Sequence, residues 1–144
     1  MLVISATVYH HPDYIWEKVV ADVRAKLLDV FSFDRRELGQ DAVLSEAIAA
    51  IESVRGVDYV DVDIFGAIPT ETVDSDGTRR PLTPDEIASA VDRLTNPQTN
   101  DPKQPQQRVR ADLADASHDL RPAQLACLSP LVADTLILNR GRND

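Results

Sequence analysis

Residues 2–9 read Leu-Val-Ile-Ser-Ala-Thr-Val-Tyr, and their density of β-branched side chains predicts a strand. His10-His11-Pro12-Asp13 interrupts it, with Asp13 placed to cap a following helix. Trp16, Val20, Val23, Leu27 and Phe31 then recur at steps of three and four, which makes one stripe of an amphipathic helix. Residues 32–42 are polar apart from Phe33 and Leu38, which read as apolar anchors. A second helix follows, with Ser45 as its cap and Ile48, Ile51 and Val54 as its stripe. Gly56 stands where a left-handed terminator would. Over residues 60–64 apolar and acidic residues alternate strictly. This predicts a strand with Val60, Val62 and Ile64 on a dry side and Asp61 and Asp63 on a wet one.

Beyond this unit the pattern weakens. Residues 68–82 read as a loop that turns at Asp74-Ser75-Asp76-Gly77. Thr83-Pro84-Asp85-Glu86 has the cap, first-position proline and early acids of a helix start, and Ile87, Ala90, Val91 and Leu94 give that helix an apolar side. Residues 96–107 carry no large apolar side chain and read as an extended linker. Pro122–Leu128 and Thr135–Leu138 are short strand candidates, and 139–144 reads as a frayed tail. The expected fold is therefore α+β: a β-α-α-β two-layer unit over residues 1–67 and a small helical insertion over 68–95. The linker over 96–107 then leads to a C-terminal strand segment over 108–144 that packs on the core or on a partner.

A length of 144 residues is enough for one self-supporting core. No apolar run approaches the length of a membrane span, and the N-terminal residues lack the basic and apolar regions of a signal peptide. The net charge is −9, with −6 over residues 1–67 and −3 over residues 68–144. Arg35-Arg36 and Arg79-Arg80 are isolated basic pairs among acids, so neither a nucleic acid nor an anionic membrane is expected as a partner. A single cysteine, Cys127, excludes an internal disulfide and reads as a small buried hydrophobe.

Candidate chemistry is sparse. His10 and His11 beside Asp13 could offer metal ligands with Asp61 or Asp63. Adjacent strand residues point to opposite faces, however, and the third histidine, His118, is remote. Asp58, Asp61 and Asp63 invite a paired-carboxylate reading for acid–base work or magnesium, against the simpler account of a solvated strand face. Asp74, Asp76 and Gly77 resemble the opening of a calcium loop without its closing glutamate. Trp16 sits on the helix stripe and reads as packing. No phosphate-cradling glycine loop or nucleophile elbow is present. We therefore expect no catalytic, cofactor or metal residues, no small-molecule substrate, and a role in assembly rather than catalysis. The other classes are a small independent binding or regulatory module, dimeric through the acidic sheet face, and a metal enzyme built on His10, Asp58, Asp61 and Asp63.

Three segments carry a resemblance. The first is Pro12-Asp13-Tyr14 with residues 27–40, Leu-Leu-Asp-Val-Phe-Ser-Phe-Asp-Arg-Arg-Glu-Leu-Gly-Gln. The second is residues 44–51, Leu-Ser-Glu-Ala-Ile-Ala-Ala-Ile, continuing through Val54-Arg55-Gly56-Val57-Asp58-Tyr59-Val60-Asp61-Val62. The third is residues 121–130 with Asp134–Asn139. In this order they resemble the C-terminal region of baseplate J-like proteins, baseplate assembly proteins of contractile phage tails and related injection systems. Members of that family are several hundred residues long, so the resemblance covers only their C-terminal part. It implies a structural wedge component without enzymatic activity or cofactor, whose partners are other baseplate proteins or further copies of itself. It also implies a cytoplasmic location during assembly and then a place in a phage-tail-like particle.

Overall fold

A computed structural model describes residues 1–95, 108–109, 111, 126–130 and 135–142. The first strand, β1 (Leu2–His10), leads into helix α1 (Trp16–Val30). A short 3-10 turn (Phe33–Arg35) and β2 (Ala42–Val43) connect to α2 (Leu44–Glu52) and the long strand β3 (Val57–Ala67). Strands β4 (Glu71–Val73) and β5 (Arg79–Pro81) form a hairpin before α3 (Pro84–Thr95), and β6 (Arg108–Val109) and β7 (Leu136–Arg140) follow. The main sheet has the order β3-β1-β7, with β1 antiparallel to β3 and parallel to β7. The architecture is α+β, with the β-α-α-β order expected from the sequence.

Both helices of the unit cover one face of this sheet. Leu2, Ile4, Ala6 and Val8 of β1 meet Val19, Val23 and Leu27 of α1 and Ala47 and Ile51 of α2 in one dry core. The α1 stripe lies where the sequence places it at Trp16, Val23, Leu27 and Phe31, except that Val19 is buried and Val20 only half-buried. The C-terminal residues enter the same core through Val109, Ala111, Ala126, Leu128 and Leu136. The Leu2 amide donates to the Cys127 carbonyl at 2.9 Å, and the Leu128 amide to Phe31 at 2.9 Å.

The opposite face of the sheet is divided by a bulge. Ser5 pairs with Ile64 and Ala6 with Val62, which leaves Asp63 as the extra residue on β3. The alternation is thereby reset. Phe65 joins the main core, while Ile64 packs with Val3, Ile68 and Val91 in a second cluster completed by Ile87, Ala90 and Leu94 of α3. The expectation that Ile64 shares a side with Val60 and Val62 is thus overturned, because strict alternation in sequence conceals a bulge. A second irregularity between Tyr9 and His10 leaves Asp58 without a pairing partner on β1.

Several local expectations are corrected. Asp13 does not cap α1, whose first turn has Ile15 at the cap position and no side-chain cap. Ser45 lies inside α2; the strand residue Val43 precedes the helix, and its amide is taken by the Glu46 carboxylate at 3.3 Å. Gly56 has a φ of +97°, yet it lies past the Ser53 cap and turns the chain into β3. Its carbonyl accepts from the His11 amide at 2.8 Å, and a side chain there would strike the Tyr14 ring. Residues 68–82 contain a hairpin rather than a plain loop, although the turn at Asp74–Gly77 stands where expected. Thr83 caps α3 as read, accepting from the Glu86 amide at 3.3 Å. Residues 126–128 form no strand, and 122–125, like the linker over 96–107, lie outside the described residues. The Thr135–Leu138 candidate is β7, which continues to Arg140; Gly141 beyond it is buried, so residues 139–141 are not frayed.

Candidate functional site

The residues singled out for metal or acid–base chemistry are dispersed. His10 is buried on the helix side of β1, with Nδ1 3.0 Å from the His11 carbonyl and its ring tilted over Trp16 at 5.7 Å. Trp16 is half-buried against the main core. His11 is exposed, beside the Asp13 carboxylate at 3.5 Å. Asp61 and Asp63 occupy the far face, where Asp63 accepts from the Thr7 hydroxyl at 3.2 Å. Because β1 separates His10 from these carboxylates, they cannot meet around one ion. Among the described residues no three His, Cys, Asp or Glu side chains form a group that could hold a metal. His118 lies outside the described residues. Asp74 is bound by Arg80 at 2.9 Å and Asp76 by the Thr78 amide at 3.0 Å, so both carboxylates brace the hairpin. Cys127 is a free, half-buried thiol.

The surface is more informative around the connection between α1 and α2. Arg36 is the organising residue: its side chain is only 2% exposed. Its Nη1 donates to Glu46 at 2.8 Å and its Nη2 to the Asp41 carbonyl at 2.6 Å, while the guanidinium lies 5.3 Å from the Phe31 ring centre. Glu46 also holds the Val43 amide, so one carboxylate ties the loop to the first turn of α2. A reciprocal pair of bonds between Glu37 and Gln40 closes the loop tip. Burying an arginine is costly unless its donors are matched. Two of its nitrogens are matched and Nε is not, so the three contacts offset part of that cost while tying the loop to α2. The same loop turns Phe33 and Leu38 outward, with 72% and 61% of their surfaces exposed. The anchor role expected for these two is therefore wrong; Arg36 anchors the loop, and the apolar pair is displayed.

A second surface lies at the His10 end of the sheet. Tyr9 and Tyr59, directly paired across β1 and β3, stack on the far face with ring centres 4.2 Å apart and planes within 11°. A third is a cleft of about 610 Å³ beside α3, bounded by Ile68, Leu82, Ala90 and Leu94 with Glu71 and Arg93 at its rim. Glu86 also lines it, and Arg80 joins this carboxylate, at 2.7 Å, to Asp74, at 2.9 Å. The Glu86 carboxyl is held below its ordinary range by Arg80 first and Thr83 second.

Sequence reading missed Arg36 because its partners lie five and ten residues ahead with no local periodicity to join them. It missed the tyrosine stack because the pairing register of β1 and β3 is needed to bring the rings together. The signal available was the phase: Tyr9 and Tyr59 each fall out of step with the apolar residues of their strands. No protein-family model, curated protein or solved structure matches this chain. No helix among the described residues is long and apolar enough to cross a membrane.

Proposed function

We propose that this chain is a structural assembly component that works by binding neighbouring protein subunits, and that its setting is the baseplate wedge of a contractile tail or injection system. The setting is supported by the resemblance of residues 12–14, 27–40, 44–51, 54–62, 121–130 and 134–139 to the C-terminal region of baseplate J-like proteins. The mode of action is supported by one observation above all. Phe33 and Leu38 are displayed on a loop that a buried, hydrogen-bonded arginine holds rigid. Apolar side chains on a preorganised loop lose little further entropy on binding, which favours contact with a protein partner. The partner to which we assign this loop is an adjacent baseplate protein.

The test is the solution mass of the purified chain by light scattering, alone and mixed with the products of its neighbouring genes. The expected result is a stoichiometric complex that is lost in the Phe33→Asp/Leu38→Asp double variant while that variant melts as the wild type does. A self-contained dimer that ignores those neighbours would overturn the reading in favour of an independent binding module.

A further inference from the structure

The half of the far sheet face that α3 leaves uncovered has a consistent chemistry. The register places Thr7 and Tyr9 of β1, Tyr59, Asp61 and Asp63 of β3, and Ile137 and Asn139 of β7 on it. No lysine or arginine is among them. The tyrosine pair is pinned from both sides. Tyr9 is stacked on Tyr59, and Gly141 packs so closely against the Tyr9 ring that an added Cβ would lie 2.4 Å from it. The Gly141 amide donates to Val8 at 2.8 Å, which fixes that approach. Tyr59 nevertheless keeps 48% of its surface exposed. Among the described residues, the carboxylates of Asp58 and Asp61 are engaged by no cation or donor. They act on Tyr59: its hydroxyl is held above its ordinary pKa, by desolvation first and then by Tyr9, Asp58 and Asp61.

We propose that this face, with the Tyr9–Tyr59 stack as platform and Asp58, Asp61 and Asp63 as counter-charges, docks a lysine- or arginine-bearing segment of a partner protein. The argument is one of complementarity. A cation over an aromatic ring is attracted by the ring's quadrupole, and flanking carboxylates supply the balancing charge. A guanidinium can also lie flat on a tyrosine face while donating to an aspartate. A second copy of this chain would bring the same negative face and be repelled, and an anionic lipid surface or a nucleic acid would be repelled likewise. The inference concerns a different surface from the Phe33–Leu38 loop and does not depend on the baseplate setting.

The experiment uses the full chain and a fluorescein-labelled peptide alternating arginine and serine, with binding read by anisotropy at low ionic strength. Nonspecific attraction to an acidic protein is controlled by Glu17→Gln/Glu52→Gln, which removes two exposed charges from the helices. We expect Tyr59→Ala and Asp61→Asn/Asp63→Asn each to weaken binding about fivefold, with Tyr59→Phe close to wild type and the helix control within about twofold. Equal losses in the sheet and helix double variants, or full binding by Tyr59→Ala, would overturn the proposal. A chain that captures the peptide this way yet forms no complex with baseplate neighbours would retain this inference and lose the assembly setting.

Discussion

The two halves of the far sheet face share the same strands and differ in almost everything else. Around Val3 and Ile64 the face is dry: α3 lays Ile87, Ala90, Val91 and Leu94 across it, and Gly66 lets the Leu94 side chain approach the backbone of β3. Around Tyr9 and Tyr59 no helix among the described residues covers the sheet, and the face carries stacked rings and aspartates. The boundary is the bulge at Asp63, one extra residue that moves Ile64 to the far side and ends the run of acids. One half of this face therefore serves stability, and the other is the half to which we assign contact with a partner. The α1–α2 connection repeats the lesson on a smaller scale: Arg36 faces inward and holds, while Phe33 and Leu38 face outward and are displayed.

The sharpest way to break the comparison is to truncate one residue in each half. Ile64→Ala should cost about 3 kcal/mol in chemical denaturation, from lost burial and the cavity under α3. Tyr59→Ala should cost about 1 kcal/mol, the scale of one aromatic pair with an exposed member. Equal losses would mean that the wet half is as structural as the dry one. A second substitution probes the pinning of the stack. Gly141→Ala should cost about 2 kcal/mol by overpacking against Tyr9, and should displace the Tyr9 and Tyr59 ring resonances in an NMR spectrum. Unchanged rings would show that the platform is not held from the β7 side.

The smallest effect concerns the salt-bridged hairpin that flanks α3. Because the Glu86 carboxyl is held below its ordinary range by Arg80, its contribution to stability is fully present above the unfolded-state pKa. It is lost as the pH falls through the depressed folded-state value. Thermal melts of wild type and Glu86→Gln should therefore differ slightly at neutral pH and converge in acid. The gap should be small because both partners are partly exposed. A gap that widened in acid would contradict the assignment.

Much of this fold could be read from periodicity. The apolar density of residues 2–9 marked β1, and the steps of three and four marked α1 and α2, because burial against one sheet face imposes those periods. The Thr83 cap and the Asp74–Gly77 turn were legible because their chemistry is local. What stayed hidden depends on pairing. Val60 to Ile64 alternates without a flaw, yet Asp63 is the residue left out of the ladder, and only the partner strand reveals it. Val43 precedes α2 in place of Ser45 because β2 pairs with β6, tens of residues away, and draws the chain into strand up to Val43. Phe33 and Leu38 misled for a related reason: hydrophobicity alone predicts burial, and the buried member of that loop is a charged residue whose partners are set by tertiary structure. For the candidate surfaces, the distribution of charge set an expectation against nucleic acid and anionic lipid as partners. Tyr9 and Tyr59 acquired meaning only once β1 and β3 were in register.

The central claim is that this chain acts through contact with neighbouring subunits, using the surfaces its fold leaves displayed. Amide hydrogen exchange across the whole chain, alone and mixed with the products of its neighbouring genes, tests that claim most directly. The account predicts slowed exchange in peptides spanning residues 32–41 on mixing, with the α3 helix unchanged. Exchange that is identical with and without those neighbours, or protection confined to α3 and its cleft, would contradict it.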